Sequence, residues 1–182
     1  MTIANSPSSP SSFPSPYDAE ALYRVLEAQV IAGLANAEKI AVVGIYSGGA
    51  WLAERLVTAL QLKDKDRLGF VDVSFYRDDF AEKGLRADIK PTHISFDVNG
   101  ATILLVDDVL YTGRTTRAAI NELFDYGRPA KIMLAALVDR GGRELPIAAD
   151  FVAKAVTLLA GESLELDRAE NGELSLTVHH NA

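Results

Sequence analysis

The sequence predicts a single α/β domain with a mainly parallel sheet flanked by helices. Short apolar runs rich in β-branched residues, such as 39–45 and 132–138, are typical of strands buried on both faces. Amphipathic helical patterns alternate with these runs, and such alternation favours a parallel sheet. A chain of 182 residues suits one domain of ordinary size.

The first predicted elements follow from hydrophobic periodicity. Apolar residues recur at helical spacing over 17–37, and Ser15 and Pro16 are suited to the N-cap and the first helical position. A buried strand is predicted over 39–45, followed by a glycine-containing turn and a second helix over 50–62, whose leucines lie four residues apart.

The middle of the chain gives a strand, a loop and a hairpin. Residues 70–76 alternate between apolar and polar, as in a strand with one wetter face. Residues 77–93 show no period and predict a long loop, which in compact domains is often functional. Strands over 94–98 and 101–106 are predicted to form a hairpin around Asn99-Gly100.

The last third repeats the alternation and then ends in a hairpin. A helix over 116–126, a buried strand over 132–138 and a charged loop over 139–150 precede a hairpin over 163–178. Because ligands of parallel sheets bind beyond the carboxyl ends of the strands, three loops are the candidate sites. These loops are 45–49, 107–115 and 139–150.

Composition limits the possible functions. Residues 1–16 hold six serines and four of the seven prolines, which predicts a disordered tail before a domain over 17–182. The net charge of -7 argues against general nucleic-acid binding, and the absence of cysteine excludes disulfides and thiol nucleophiles. No apolar run reaches the about 18 residues of a membrane span, and no signal peptide is visible, so we expect a cytoplasmic protein.

The most informative segment joins two carboxylates to a glycine turn. Asp107 and Asp108 follow an apolar strand, and Thr112-Gly113-Arg114-Thr115 leads into the next helix. Hydroxyls and the N–H groups at a helix start bind phosphate, while carboxylates suit sugar hydroxyls or hydrated Mg²⁺. A ribose 5-phosphate matches this pattern.

Other phosphate-binding motifs fit less well. A P-loop requires Gly-Lys followed by Ser or Thr, and a dinucleotide site requires Gly-x-Gly-x-x-Gly; the chain has neither. A receiver domain carries paired aspartates near its start, but only 74 residues follow Asp108 here. A solvated turn whose acids cap the next helix remains the alternative without a ligand.

Residues 107–114, Asp-Asp-Val-Leu-Tyr-Thr-Gly-Arg, resemble the phosphoribosyl pyrophosphate (PRPP) signature of type I phosphoribosyltransferases. The particular residues of this segment are similar to those of the PyrR family of bifunctional pyrimidine-operon regulators and uracil phosphoribosyltransferases. Residues 75–80 and 137–147 support this narrower resemblance, which spans about residues 17–178. It implies one type I domain with a mobile loop and a small hood.

The resemblance also implies roles for individual residues. Asp107, Asp108 and Arg77 would be catalytic, and both aspartates would meet Mg²⁺ through water and PRPP. Asp139 and Arg140 would lie beside the base and the pyrophosphate. Plain ion pairs remain the alternative for the two arginines. PRPP would contact Ser47, Gly48, Gly49, Asp107, Asp108, Val109, Leu110, Tyr111, Thr112, Gly113, Arg114 and Thr115.

The implied reaction converts uracil and PRPP to UMP and pyrophosphate in a homodimer or larger assembly. A uridine-nucleotide sensor that attenuates transcription through RNA, with little turnover, and a purine-salvage enzyme are the alternatives. The family's basic stretch places His and Arg where this chain has Gly142 and Ala148. Arg24 and Arg143 remain as basic candidates, so we expect weak or absent RNA binding.

Overall fold

The computed structural model describes residues 12–14, 17–62, 67–73 and 91–180. In chain order its elements are β1 (Ser12–Pro14), α1 (Ala19–Leu34), β2 (Ile40–Ile45), α2 (Gly48–Ala59), β3 (Leu68–Val71), β4 (Thr102–Leu110), α3 (Arg114–Tyr126), β5 (Lys131–Asp139), β6 (Phe151–Ala155), β7 (Glu162–Arg168) and β8 (Leu174–His180).

Five strands form one parallel sheet in the order β3-β2-β4-β5-β6. β4 lies at its centre, with Leu104 opposite Val42 on one side and Met133 on the other. The carboxyl ends of β2, β4 and β5 therefore meet at one edge of the sheet. This confirms the predicted α/β class.

Helices cover both faces of this sheet because successive strand residues point to opposite sides. Leu104 and Val106 belong to the core beneath α1 and α2, where Leu26 and Leu52 are fully buried. The intervening residues of β4 pack instead with Leu123 of α3. One strand thus supplies two hydrophobic cores.

A second, antiparallel sheet has the order β1-β8-β7. Its β7–β8 hairpin confirms the hairpin predicted over 163–178, with Leu166 paired to Leu176. The backbone of Ser12–Pro14 pairs with residues 177–179 of β8. The predicted disordered tail over 1–16 therefore does not hold at these three residues, because the edge of β8 gives their backbone hydrogen-bonding partners.

The hairpin predicted over 94–106 is wrong. Both edges of β4 are already paired, with β2 and β5, so residues 94–98 have no free edge of β4 to join. His93 instead forms an isolated antiparallel bridge with Phe70. Asn99 makes a local turn, since its N–H donates to the Asp97 carboxylate at 2.9 Å.

Two other predicted boundaries shift, and one strand was not predicted. α1 is capped by Asp18, whose carboxylate accepts the Ala21 N–H at 3.0 Å, and not by Ser15. β6 was not predicted as a strand because residues 151–155 show no clear pattern on the sheet edge. β3 ends at Val71 and so is shorter than the strand predicted over 70–76, of which residues 74–76 lie outside the described residues.

Arg55 of α2 connects the hairpin to the main domain. Its guanidinium donates to both Glu20 carboxylate oxygens at 2.8 and 2.9 Å and to the Gly172 carbonyl at 2.6 Å. Glu20 in turn accepts the Leu174 N–H at 2.8 Å. The hydrogen bonds from Arg55 lower the pKa of Glu20.

Replacing Arg55 with Met keeps the length of the side chain and removes these bonds. At pH 7 we expect the free energy of unfolding to fall by about 1–2 kcal/mol in urea titrations. Because the folded-state pKa of Glu20 is lowered, its contribution is present above the usual value of 4.5 and declines as the pH falls below it. The difference in the free energy of unfolding between wild type and R55M should therefore become smaller as the pH falls below 4.5.

The matched control is Arg168→Met, which removes a more exposed pair with Glu54. We expect R168M to cost less than about 0.5 kcal/mol. Equal costs for the two variants at every pH would contradict the role of Arg55.

Candidate functional site

The start of α2 lies directly against the end of β4. A Cβ on Gly49 would overlap the Val106 carbonyl and lie 3.0 Å from the Asp107 Cα. A Cβ on Gly48 would lie 2.6 Å from the Asp108 Cγ. Only glycine permits this approach. The first two predicted loops are thereby brought together.

The two aspartates lie on β4 itself, not in the loop predicted over 107–115. Asp107 is opposite Ala136, and Val109 is opposite Val138, so the strand continues to Leu110. Alternation sends Asp108 toward α2 and Asp107 toward the α3 face. Asp107 is 5% exposed, and its carboxylate accepts the Asp108 N–H at 3.0 Å.

The β4–α3 loop (residues 111–113) turns tightly into a helix. Gly113 is the N-cap in the left-handed region, with φ +92°, and α3 begins at Arg114, two residues before the predicted start. The buried Thr112 hydroxyl accepts the Arg114 N–H at 3.2 Å. Beyond it, the first turn of α3, including Thr115, presents N–H groups and the positive end of the helix dipole.

At the β2–α2 turn, α2 begins at Gly48, also two residues before its predicted start. Ser47 is exposed and is the N-cap, but its side chain makes no capping hydrogen bond. Its carbonyl accepts the Ala50 N–H at 3.2 Å. A second helix start therefore faces the aspartates.

The third predicted loop follows β5 and supports the second. In this β5–β6 loop (residues 140–150), Glu144 N–H and Leu145 N–H donate to the Thr112 carbonyl at 3.0 and 3.1 Å. Arg140 N–H donates to the Leu110 carbonyl at 3.0 Å. The three loops chosen from the sequence thus meet at one edge of the sheet.

Arg114 does not point its guanidinium at an open phosphate site. Its Nε and Nη2 atoms lie 2.7 and 2.6 Å from one Glu144 carboxylate oxygen. Both side chains are about half exposed, so the pair can open without a large cost. In this structure Arg114 is suited to ligand binding by the position of its backbone in the first turn of α3.

Arg140 stacks on Tyr111. The guanidinium carbon lies 3.8 Å from the centre of the tyrosine ring, and Nη2 donates to the Glu162 carbonyl at 3.2 Å. Gly142, with φ +73°, lies against the same ring, so that a Cβ there would overlap it. No salt bridge to Arg140 is among the contacts of the described residues, so the ion-pair alternative for this residue gains no support.

Asp139 ends β5 and is held by its own loop. Its carboxylate accepts the Gly141 N–H at 2.9 Å and pairs with Arg143 at 2.5 Å. Arg143 and Glu144 were not among the predicted site residues. Both residues belong to the charged stretch after Arg140, which could have marked them as candidates. The sequence does not indicate which hydrogen-bonding partner each side chain has.

Comparison with known proteins identifies the family. A profile of the phosphoribosyl transferase domain matches residues 17–160. The chain is 54% identical to the bifunctional protein PyrR of Ralstonia nicotianae, over 85% of this chain and 88% of that one. The chain belongs to the PyrR family of phosphoribosyl transferases. The PyrR protein of Nitrosococcus oceani is 48% identical over 81% of this chain and 84% of its own length.

Solved structures agree with this fold. A hypoxanthine-guanine phosphoribosyltransferase from Bacillus anthracis superposes with a TM-score of 0.64 at 18% identity, covering 94% of this chain and 99% of that one. A hypoxanthine phosphoribosyltransferase from Trypanosoma cruzi gives 0.59 at 18% identity, covering 80% and 82%. The predicted type I phosphoribosyltransferase fold is confirmed.

Some expectations fall outside these observations. Arg77 and the loop residues up to 90 lie outside the described residues. Within the described residues, no group of three or more His, Cys, Asp or Glu side chains could hold a metal ion. No helix in the same part of the chain has the length and apolar character needed to cross a membrane.

Gly142→Ala should disturb the site more than Gly141→Ala. Both glycines have positive φ, +73° and +70°, so both substitutions carry a similar backbone cost. Only the first adds an atom against the Tyr111 ring, while the second meets nothing within 4 Å. We expect G142A to lower the free energy of unfolding by about 1 kcal/mol more than G141A, measured by urea titration. Equal losses would contradict the close packing of Tyr111.

Proposed function

We propose that this PyrR-family transferase moves the phosphoribosyl group of PRPP onto uracil. The bond from the anomeric carbon to pyrophosphate breaks, a bond to uracil N1 forms, and the N1 proton is released. The products are UMP and pyrophosphate. The observation that carries the proposal is the position of Asp107 and Asp108 between the starts of α2 and α3.

Each of the three parts of PRPP is assigned to a different part of this site. The 5-phosphate takes the first turn of α3, where N–H groups and the helix dipole favour an anion. The ribose hydroxyls face Asp107 and Asp108, since carboxylates accept hydrogen bonds and repel phosphate. The pyrophosphate takes the start of α2, where Ser47 is exposed and where Gly48 and Gly49 pack against the end of β4.

The two carboxylates also fit Mg²⁺. This ion is usually held by one or two carboxylates together with substrate phosphates and water, and Asp107 and Asp108 supply two carboxylates. Bound Mg²⁺ would neutralise charge on the departing pyrophosphate. Asp107 and Asp108 would hold it through water and through the ribose hydroxyls.

The chain's own contribution is positioning and electrostatics. Displacement at an anomeric carbon develops positive charge on the sugar, which the adjacent carboxylates stabilise. The N–H groups at the start of α2 stabilise the leaving pyrophosphate, and Arg77 is our candidate for a further contact to it. No covalent nucleophile is needed, because the bound geometry brings the two reactants together.

The base lies on the side of β5. Asp139 and Arg140 follow one another at its carboxyl end, and the Arg140–Tyr111 stack borders the same edge. A carboxylate and a guanidinium can pair with the N–H and carbonyl groups of uracil. Uracil is preferred over purines in this proposal because of the similarity to PyrR proteins.

Turnover tests the proposal. The protein with PRPP, Mg²⁺ and a panel of uracil, cytosine, hypoxanthine and guanine should release UMP and only UMP. D107N and D108N should each lower kcat/KM by about 100-fold or more, since each removes a charge at the reacting sugar. Asp125→Asn, on the exposed end of α3, is the matched control and should leave the rate unchanged.

The alternatives give other results. A nucleoside monophosphate from a purine base would indicate purine salvage. Measurable affinity for UMP or PRPP with negligible turnover would indicate a sensor. Either outcome, or an unchanged rate in D107N, would contradict the proposed reaction.

RNA binding by this chain is proposed to be weak or absent. Gly142 and Ala148 supply no charge, and the Arg143 guanidinium is hydrogen-bonded to the Ile147 carbonyl and the Asp139 carboxylate. A gel-shift titration with the leader RNA of its own pyrimidine operon measures this directly. Tight binding that depends on uridine nucleotides would overturn this part of the proposal and favour the RNA-binding attenuator.

We also propose that the protein forms a homo-oligomer. Apolar side chains more than two fifths exposed lie on α1 (Val25, Ile31) and on α3 (Phe124, Tyr126). Single exposed apolar residues are ordinary, so they support an interface only weakly. Sedimentation velocity gives the mass of the assembly.

A further inference from the structure

Arg143 uses most of its hydrogen-bonding capacity inside the protein. Its Nε donates to the Ile147 carbonyl at 2.8 Å, and Nη1 donates to the Tyr111 carbonyl at 2.6 Å and, weakly, to Gly141 at 3.4 Å. Nη2 donates to the Asp139 carboxylate at 2.5 Å. Four of the five guanidinium N–H groups are therefore engaged.

These acceptors belong to different parts of the site. Tyr111 lies in the β4–α3 loop, where the 5-phosphate is proposed to bind. Asp139 ends β5 on the side of the base. Ile147 packs against Gly113, since a Cβ on that glycine would lie 3.0 Å from the Ile147 side chain. Arg143 thus joins the phosphate side of the proposed site to the base side.

We propose that Arg143 is a positioning residue for the transfer reaction. It fixes the Asp139 carboxylate and the Tyr111 backbone relative to one another, so that the sugar phosphate and the base are held at a set separation. This inference rests on the proposed function, because it assigns Asp139 to the base and the β4–α3 loop to PRPP. Arg143 itself touches neither substrate.

The shape of arginine matters to this role. The guanidinium is a planar fork whose N–H groups point in fixed directions, so one side chain can bond three separate acceptors at once. A lysine at 143 could keep the charge near Asp139 but could not also reach both the Ile147 and the Tyr111 carbonyls. Lysine should therefore restore only part of the function.

The same hydrogen bonds make Arg143 poorly suited to binding an external phosphate such as that of RNA. Its side chain is 24% exposed, and one N–H group remains free of the contacts described above. Gripping an external phosphate with two parallel hydrogen bonds would require breaking a bond to Asp139 or Tyr111. Binding to RNA through Arg143 and positioning the site are therefore competing uses of the residue.

Steady-state kinetics of R143Q and R143K test the proposal. For R143Q we expect KM for PRPP and for uracil each to rise by about tenfold, the usual effect of losing a charge-assisted hydrogen bond that aligns a site. R143K should lie between R143Q and wild type. Because KM does not depend on the amount of folded enzyme, simple destabilisation cannot produce this result.

Two controls separate the explanations. R55M destabilises the hairpin away from the β5–β6 loop and should leave both KM values unchanged. Arg168→Met, which removes the exposed pair with Glu54, should do the same. If R143Q lowers the melting temperature and the yield but leaves KM unchanged, Arg143 is only structural and the proposal fails.

Calorimetric dissociation constants for PRPP keep this test separate from the proposed function. A wild-type protein that binds PRPP without turnover would contradict the reaction, and R143Q should still bind PRPP about tenfold more weakly. Unchanged PRPP affinity in R143Q would overturn the role of Arg143 whatever the turnover. Loss of RNA binding in R143Q with unchanged KM would assign Arg143 to RNA and likewise overturn it.

Discussion

The site depends on the close approach of the start of α2 to the end of β4. Gly48 and Gly49 allow backbone to meet backbone there, because any Cβ would overlap Asp108 or the Val106 carbonyl. β4 is also the central strand, paired on both sides, so its end cannot shift without disturbing the sheet. A helix start and two carboxylates are therefore fixed next to each other by the core of the fold itself.

This arrangement explains how an acidic chain can bind an anionic substrate. In the described part of the chain, three arginines at the site are engaged within the protein: Arg114 with Glu144, Arg143 with Asp139, and Arg140 over Tyr111. We propose that phosphate recognition rests mainly on backbone N–H groups at two helix starts, whose fixed dipoles need no side-chain charge, with Arg77 and Mg²⁺ as further contacts. The net charge of -7 is no obstacle to such a mode of binding.

Much of this was readable from the sequence, because the information is local. Buried strands are recognisable as apolar runs. The three candidate loops follow from the rule that the carboxyl ends of parallel strands lie at the same edge of the sheet. The Asn99-Gly100 hairpin failed because pairing is decided by which strand edges are free, and β4 has none. The hydrogen bonds between the β4–α3 and β5–β6 loops were equally out of reach, since residues about thirty positions apart provide them.

A crystal structure with Mg²⁺ and a non-reactive PRPP analogue would show where the substrate lies. We expect the 5-phosphate on the N–H groups at the start of α3, the ribose hydroxyls on Asp107 and Asp108, and the pyrophosphate against residues 47–49. A ligand whose sugar hydroxyls do not contact these carboxylates, or whose pyrophosphate lies away from the start of α2, would contradict it.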